Sequence, residues 1–188
     1  EFFTRCLVGG VTNPSGTGTT LTSGVPVNTS WGNTFCQSIY TAAELSAMGL
    51  TAGPIEGITY TWSTSGSYQK DLTIFLGHTT NSSFASYSPL TGAMTQVYNG
   101  LRNTTDVGTI EYHFTTPFVW DGVSNIVVSS FVNQPSGASH TSSGFYGYST
   151  NCGTTRTIYS YRDGSAYTMS SLTGSSSSTS TFRPNITF

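Results

Sequence analysis

Eight carboxylates, three histidines and three cysteines are the side chains from which this 188-residue chain could build acid–base, nucleophilic or metal chemistry. Two-carboxylate glycoside hydrolysis needs a positioned pair. Asp71, Asp121 and Asp163 stand at turns or strand starts, where Asp bonds the local backbone. Glu44 falls in a helix-capping pattern. Glu56, Asp106 and Glu111 show no sign of pairing. A nucleophile needs a base within reach. No Gly-x-Ser-x-Gly elbow occurs, and Ser139 and His140 are adjacent in a polar loop. His113 alternates outward on a strand and His78 ends one. The chain reads as non-catalytic.

Two binding chemistries fit better. Sugars stack on aromatic faces and bond to amides and hydroxyls. Tyr146, Tyr148, Tyr159, Tyr161 and Tyr167 crowd the C-terminal third and are the stacking candidates, with cross-strand packing as the competing reading. Trp31, Trp62 and Trp120 read as core or turn packing. Calcium needs six to eight oxygens. Asp121 with Asn125, or Asp163, could contribute, although no Asp-x-Asp-x-Asp cluster exists. No other cofactor is expected.

Cys6, Cys36 and Cys152 are an odd set without a metal-binding spacing. In an oxidising compartment they give one disulfide and one thiol left over for another chain. Buried free thiols are the alternative. Asn28, Asn81, Asn103 and Asn185 begin Asn-x-Ser/Thr sequons.

Only 7% of residues are charged, against roughly 25% in ordinary soluble domains. Six Lys and Arg cannot make a phosphate-neutralising patch, so a nucleic-acid partner is not expected. No apolar run is long enough for a membrane helix, and no signal peptide is visible. A nearly uncharged surface suits an extracellular protein, a glycan binder, or a body that packs against copies of itself without stranding charges.

Strands must position whatever these side chains do. The chain holds 11 Tyr, 11 Phe, 21 Gly and 7 Pro, the composition of many short strands joined by turns. Residues 2–8 read as a strand, and residues 1–8 as an edge or exchanged element. Residues 9–34 read as a surface-wrapping loop, with a short strand within 20–27. Thr41-Ala42-Ala43-Glu44 is a capping box, predicting a helix over about 41–48 that stops at Gly49. Strands follow at 55–62, with Ile58, Tyr60 and Trp62 on one face, and at 71–77, with Leu72, Ile74 and Leu76 on one face. Others are expected at 94–98, 109–114, 125–132, 144–149, 155–161 and 182–188. Residues 125–132 read as a central strand. Residues 170–181 are Ser-rich and are expected as an ordered loop. Residues 1–188 then form one all-β domain, a two-sheet antiparallel sandwich of jelly-roll type with one short helix.

The stretches Ser38-Ile39-Tyr40-Thr41-Ala42-Ala43-Glu44-Leu45, Gly57-Ile58-Thr59-Tyr60, Leu72-Thr73-Ile74-Phe75-Leu76-Gly77-His78, Val97-Tyr98-Asn99-Gly100 and Phe114-Thr115-Thr116-Pro117-Phe118-Val119-Trp120-Asp121-Gly122 are joined by the closing Arg183-Pro184-Asn185-Ile186-Thr187-Phe188. Together their order resembles the β-sandwich modules of large secreted Bacteroidetes proteins, over about residues 17–188. The resemblance implies a jelly-roll-like fold related to cleaved-adhesin and MAM-like domains. It also implies export to the cell surface and a place in adhesins or filaments, and it implies no catalytic site. The expected function is a cell-surface structural or adhesion module whose partners are other copies of itself. The alternative is a carbohydrate-binding module with a glycan ligand.

Overall fold

A computed structural model describes residues 12–22, 24–28, 30–63, 69–103, 107–134, 147–174 and 176–188. The strand expected at 2–8, with Cys6, and the candidate Tyr146 lie outside the described residues. The elements in chain order are β1 (Thr20–Leu21), β2 (Asn33–Tyr40), α1 (Ala42–Ala47), β3 (Gly53–Trp62), β4 (Gln69–Thr79), β5 (Met94–Asn103) and β6 (Gly108–Trp120). They continue with β7 (Asn125–Asn133), β8 (Tyr148–Asn151), β9 (Thr157–Arg162), β10 (Ser176–Ser180), β11 (Phe182–Pro184) and β12 (Ile186–Thr187).

The chain is all-β, as expected, and every strand pairing is antiparallel. A six-stranded sheet runs β10-β9-β2-β7-β4-β5, and a three-stranded sheet runs β12-β3-β6. The pairings β2·β7, β3·β6 and β4·β5 are nested in sequence. A third small sheet, β1-β8-β11, departs from the two-sheet expectation. It arises because residues 182–188 split at Asn185: β11 pairs with β8, whereas β12 pairs with β3.

The main core lies between the two larger sheets. Leu72, Ile74, Leu76, Ile126 and Val128 from one side meet Ile55, Ile58, Tyr60, Trp62 and Trp120 from the other. Each fully buried aliphatic side chain here contributes about 1.5–3 kcal/mol. The six-stranded sheet is covered on its other face too. Phe35, Ile39, Val127, Phe131 and Ile158 form a second core there, under Phe84, Tyr167 and Leu172 from loops. Gln37 ties one of those loops down, donating to Leu90 O at 2.9 Å and accepting from Leu90 N at 2.7 Å.

Burial on both faces explains β2. All eight of its residues are buried, yet Asn33, Thr34, Gln37 and Ser38 disguise the strand as loop. Its polar side chains are satisfied internally, as with Ser38 and Thr157, whose hydroxyls lie 2.8 Å apart. The wrapping segment before it also enters the interior, since Val25 and Val27 are buried.

Several strands are longer than their sequence patterns, and two of them run through residues that ordinarily stop a strand. β5 continues to Asn103 through Asn99-Gly100, a pair expected to end it. β6 runs unbroken through Pro117. The register jumps there, from Gly57↔His113 to Ile55↔Phe118, so Pro117 lies in an unpaired bulge where its missing N–H costs no ladder bond. The helix follows its capping box: Thr41 Oγ1 accepts from Glu44 N at 3.4 Å, and Glu44 Oε2 accepts from Thr41 N at 2.8 Å. Gly49, at φ +96°, follows its end.

Candidate functional site

The outer end of the six-stranded sheet carries a half-buried aromatic group. Paired antiparallel residues share a face. On one face the rows read Ser176–Tyr161–Thr34, Ser178–Tyr159–Cys36 and Ser180–Thr157–Ser38, crossing β10, β9 and β2. Tyr159 and Tyr161 are half-buried, as are Ser176, Ser178 and Ser180. The two tyrosine rings lie 6.3 Å apart at an interplanar angle of 19°. Trp31, half-buried just before β2, brings a third ring 4.9 Å from Tyr161 at 32°.

The backbone under Trp31 is clamped. Lys70 Nζ, from β4, donates to Trp31 O at 3.2 Å and to Gly32 O at 2.9 Å. Gly32 N donates to Asp163 Oδ1 at 2.8 Å. Burial pulls the Lys70 ammonium down to about 8, and the Asp163 carboxylate opposes that shift. Gly24, at φ +83°, lets the chain pass flat against Tyr159; a Cβ there would lie 2.3 Å from the ring. The aromatic group is thus held by main-chain contacts on both flanks.

β10 is the edge of that sheet. Ser176–Ser180 pairs with β9 on one side and, among the described residues, with no strand on the other. The expected Ser-rich loop is therefore partly a strand. Backbone pairing needs no apolar side chains, and Ser160 Oγ reinforces it by donating to Ser176 O at 2.8 Å.

The five tyrosine candidates separate. Tyr159 and Tyr161 share the face just described. Tyr148 lies on β8 in the small sheet, opposite Leu21. Tyr167 cannot stack on a sugar: it is 2% exposed in the second core. Its hydroxyl meets Ser160 at 2.8 Å, and Arg162 lies over its ring at 4.1 Å. Trp31 was assigned to packing from the sequence. Only its neighbour across the sheet reveals it as part of the aromatic group.

The calcium candidates do not converge. Asp121 Oδ1 accepts from Val123 N at 3.0 Å and Ser124 N at 2.8 Å, and Oδ2 accepts from Ser124 Oγ at 2.5 Å. These turn bonds pull its carboxyl down to about 2. Asn125 accepts from Ala42 N and donates to Asn81 O. Asp163 sits at the far end of β2, about 23 Å away by strand rise. The three residues do not fit a single calcium site. Among the described residues no three His, Cys, Asp or Glu side chains are grouped as for a metal.

The thiols are equally separate. Cys36 is buried and free, and burial pushes it up to about 12. Cys152 is half-buried and free. A bond between these two is therefore not formed. His78 Nε2 lies 3.9 Å from Asp121 Oδ1, but Ser124 bonds the carboxylate rather than the imidazole. That order does not relay a proton from a serine through a histidine. Among the described residues no helix is long and apolar enough to cross a membrane.

With this geometry in hand, comparison with known proteins adds no assignment. No family model, curated protein or solved structure matches the chain.

Proposed function

We propose that this chain is a non-catalytic, extracellular structural or adhesion module, of the kind that builds Bacteroidetes surface filaments, and that copies of it join by strand addition. The supporting observation is the β10 edge. Exposed edges are normally blunted by charge, proline, bulges or shortness. The β6 edge carries Glu111, Pro117 and a register shift, the β5 edge carries Arg102 and a register shift, and β12, β11 and β1 are only two, three and two residues long. β10 presents Ser176–Ser180 with none of these devices. Main-chain pairing along such an edge gives strength without side-chain chemistry. The low charge of the whole chain favours self-packing for the same reason.

The donor in this reading is residues 2–8 of a second copy, whose sequence has strand character. Light scattering on the full chain and on a variant lacking residues 1–8 tests it. The full chain forms concentration-dependent multimers; the truncated chain, and the edge variant Ser177→Lys with Thr179→Lys, stay monomeric with unchanged melting. A full chain that remains monomeric at millimolar concentration, or multimers that survive both changes, overturns the reading.

A further inference from the structure

We infer, independently of the strand-addition reading, that residues 12–22 form a detachable strap, which covers two sheet edges and comes off as one unit while the rest of the body stays folded. The strap first lies along the side of β12 away from β3. Ser15 N donates to Ile186 O at 2.8 Å, and Thr12 N to Phe188 O at 3.3 Å. The return bonds run through hydroxyls instead of carbonyls: Ile186 N donates to Ser15 Oγ at 3.0 Å, and Phe188 N to Thr12 Oγ1 at 2.9 Å. The strap then crosses to β8. There Gly18 N donates to Thr150 Oγ1 at 2.9 Å, and β1 pairs on the side away from β11. With the strap in place, neither edge is open to a foreign strand.

Three observations make it detachable. The first is that its fastening is polar. Pro14 and Leu21 are its only apolar side chains, and both are exposed. Hydrogen bonds near solvent, with few buried apolar contacts, mark a segment that opens locally. The second is where the anchoring starts. Val25 is 0% exposed and Val27 2%, so the core takes hold of the chain just beyond the strap. Gly24, at φ +83°, and the bond from Val25 N to Thr22 O at 3.1 Å turn the chain between the two. The third is the fit. A Cβ on Gly16 would lie 2.3 Å from Thr150 Oγ1, and one on Gly18 would lie 2.4 Å from Ser149 O. The strap is therefore seated by close backbone approach, and one added methyl at Gly18 meets a main-chain carbonyl.

Amide hydrogen exchange of the full chain in low urea, followed by NMR, tests the strap. Ser15, Gly18, Ile186 and Phe188 should share one opening below the unfolding of the whole body. Ile186 and Phe188 belong with the strap because their amides donate to its hydroxyls. Val127 and Val128, in the centre of the large sheet, should exchange only with global unfolding. Ile74→Val, a fully buried change, should speed exchange at Val127 and Val128 about fivefold and leave the strap amides unchanged. Gly18→Ala should speed exchange at Ser15, Ile186 and Phe188 together, about tenfold, the scale of one overpacked methyl. Circular dichroism should show both variants folded. If Gly18→Ala does not fold, the unaltered chain and Ile74→Val still decide the matter. The strap is overturned if its amides open only with the whole body, or if Ile74→Val speeds both groups alike. It is also overturned if a folded Gly18→Ala chain exchanges faster at Ser15 while Ile186 and Phe188 keep their rates.

Discussion

The guanidinium of Arg183 meets the carboxylate of Glu44 at 2.8 Å, and so joins the last strands to the only helix among the described residues. Arg183 is 3% exposed, donates also to Ile39 O at 3.1 Å, and lies 4.3 Å from the centre of the Tyr40 ring. Glu44 serves twice, as the capping residue of α1 and as the partner of this buried cation. Removing the cation leaves the carbonyl of Ile39 without its side-chain donor and the Glu44 carboxylate with only Thr41 and the more distant Arg156 beside it. Arg183→Met should cost about 3 kcal/mol, the scale for breaking one side of a buried pair. Urea denaturation measures it.

The same pair sets the acid limb of stability. Burial acts to raise the Glu44 carboxyl, but hydrogen bonds from Arg183 and Thr41 outweigh it and hold the group below its ordinary 4.5. A carboxyl lowered by folding adds stability above its unfolded value, and that stability is lost as pH falls through the folded one. Stability should therefore drop below pH 4.5. Glu44→Gln should be less stable at pH 7 and should show a flatter acid limb in a denaturation series.

Lys70 gives the alkaline counterpart with the opposite charge logic. Folding lowers the ammonium from 10.5 to about 8. Between those values the unfolded chain holds more protons, so stability should rise as pH goes from about 8 towards 10. Below pH 8 the full cost of burying the charge is present. Lys70→Met should flatten this rise when unfolding is followed across that window.

Tyr167 and Tyr161 should respond in opposite ways. Tyr167 fills the second core, so Tyr167→Ala should cost about 3–5 kcal/mol. Tyr167→Phe loses only the bond to Ser160 and should cost about 1 kcal/mol. Tyr161→Ala removes a half-buried ring and should cost about 1 kcal/mol or less. Thermal melts of the three variants separate core from surface tyrosines.

Cys36 and Cys152 should differ in reactivity. Burial pushes Cys36 to about 12 and also raises Cys152, less steeply. Iodoacetamide at pH 8 followed by peptide mapping should label Cys152 slowly and leave Cys36 untouched until denaturant is added. Rapid native labelling of Cys36 would contradict its packing.

Much of the fold was legible in local pattern. The alternation of Leu72, Ile74 and Leu76, the run of residues 125–132 and the capping box of Thr41 and Glu44 each fix an element by its own periodicity or bonding. β2 was not legible, because a strand buried on both faces has no alternation, and its Asn, Thr, Gln and Ser side chains are satisfied by distant partners. Pro117 hid the length of β6 because only the register of β3 reveals the bulge that accommodates it.

The surface divides in the same way. By itself the sequence determined an all-β body, a helix of known position and a chain poor in charge, since those follow from composition and short-range spacing. Tertiary structure decided which tyrosines are core and which are surface, because Tyr161 and Tyr167 look alike until Ser160 and Trp31 are brought beside them. It decided that Ser176–Ser180 is an edge strand, since only the backbone of β9 makes a run of serines into a ladder. It also kept Cys36 and Cys152 apart and placed Asp121 and Asp163 at opposite ends of β2. Those are distances set by long-range strand order, and spacing along the chain does not encode them.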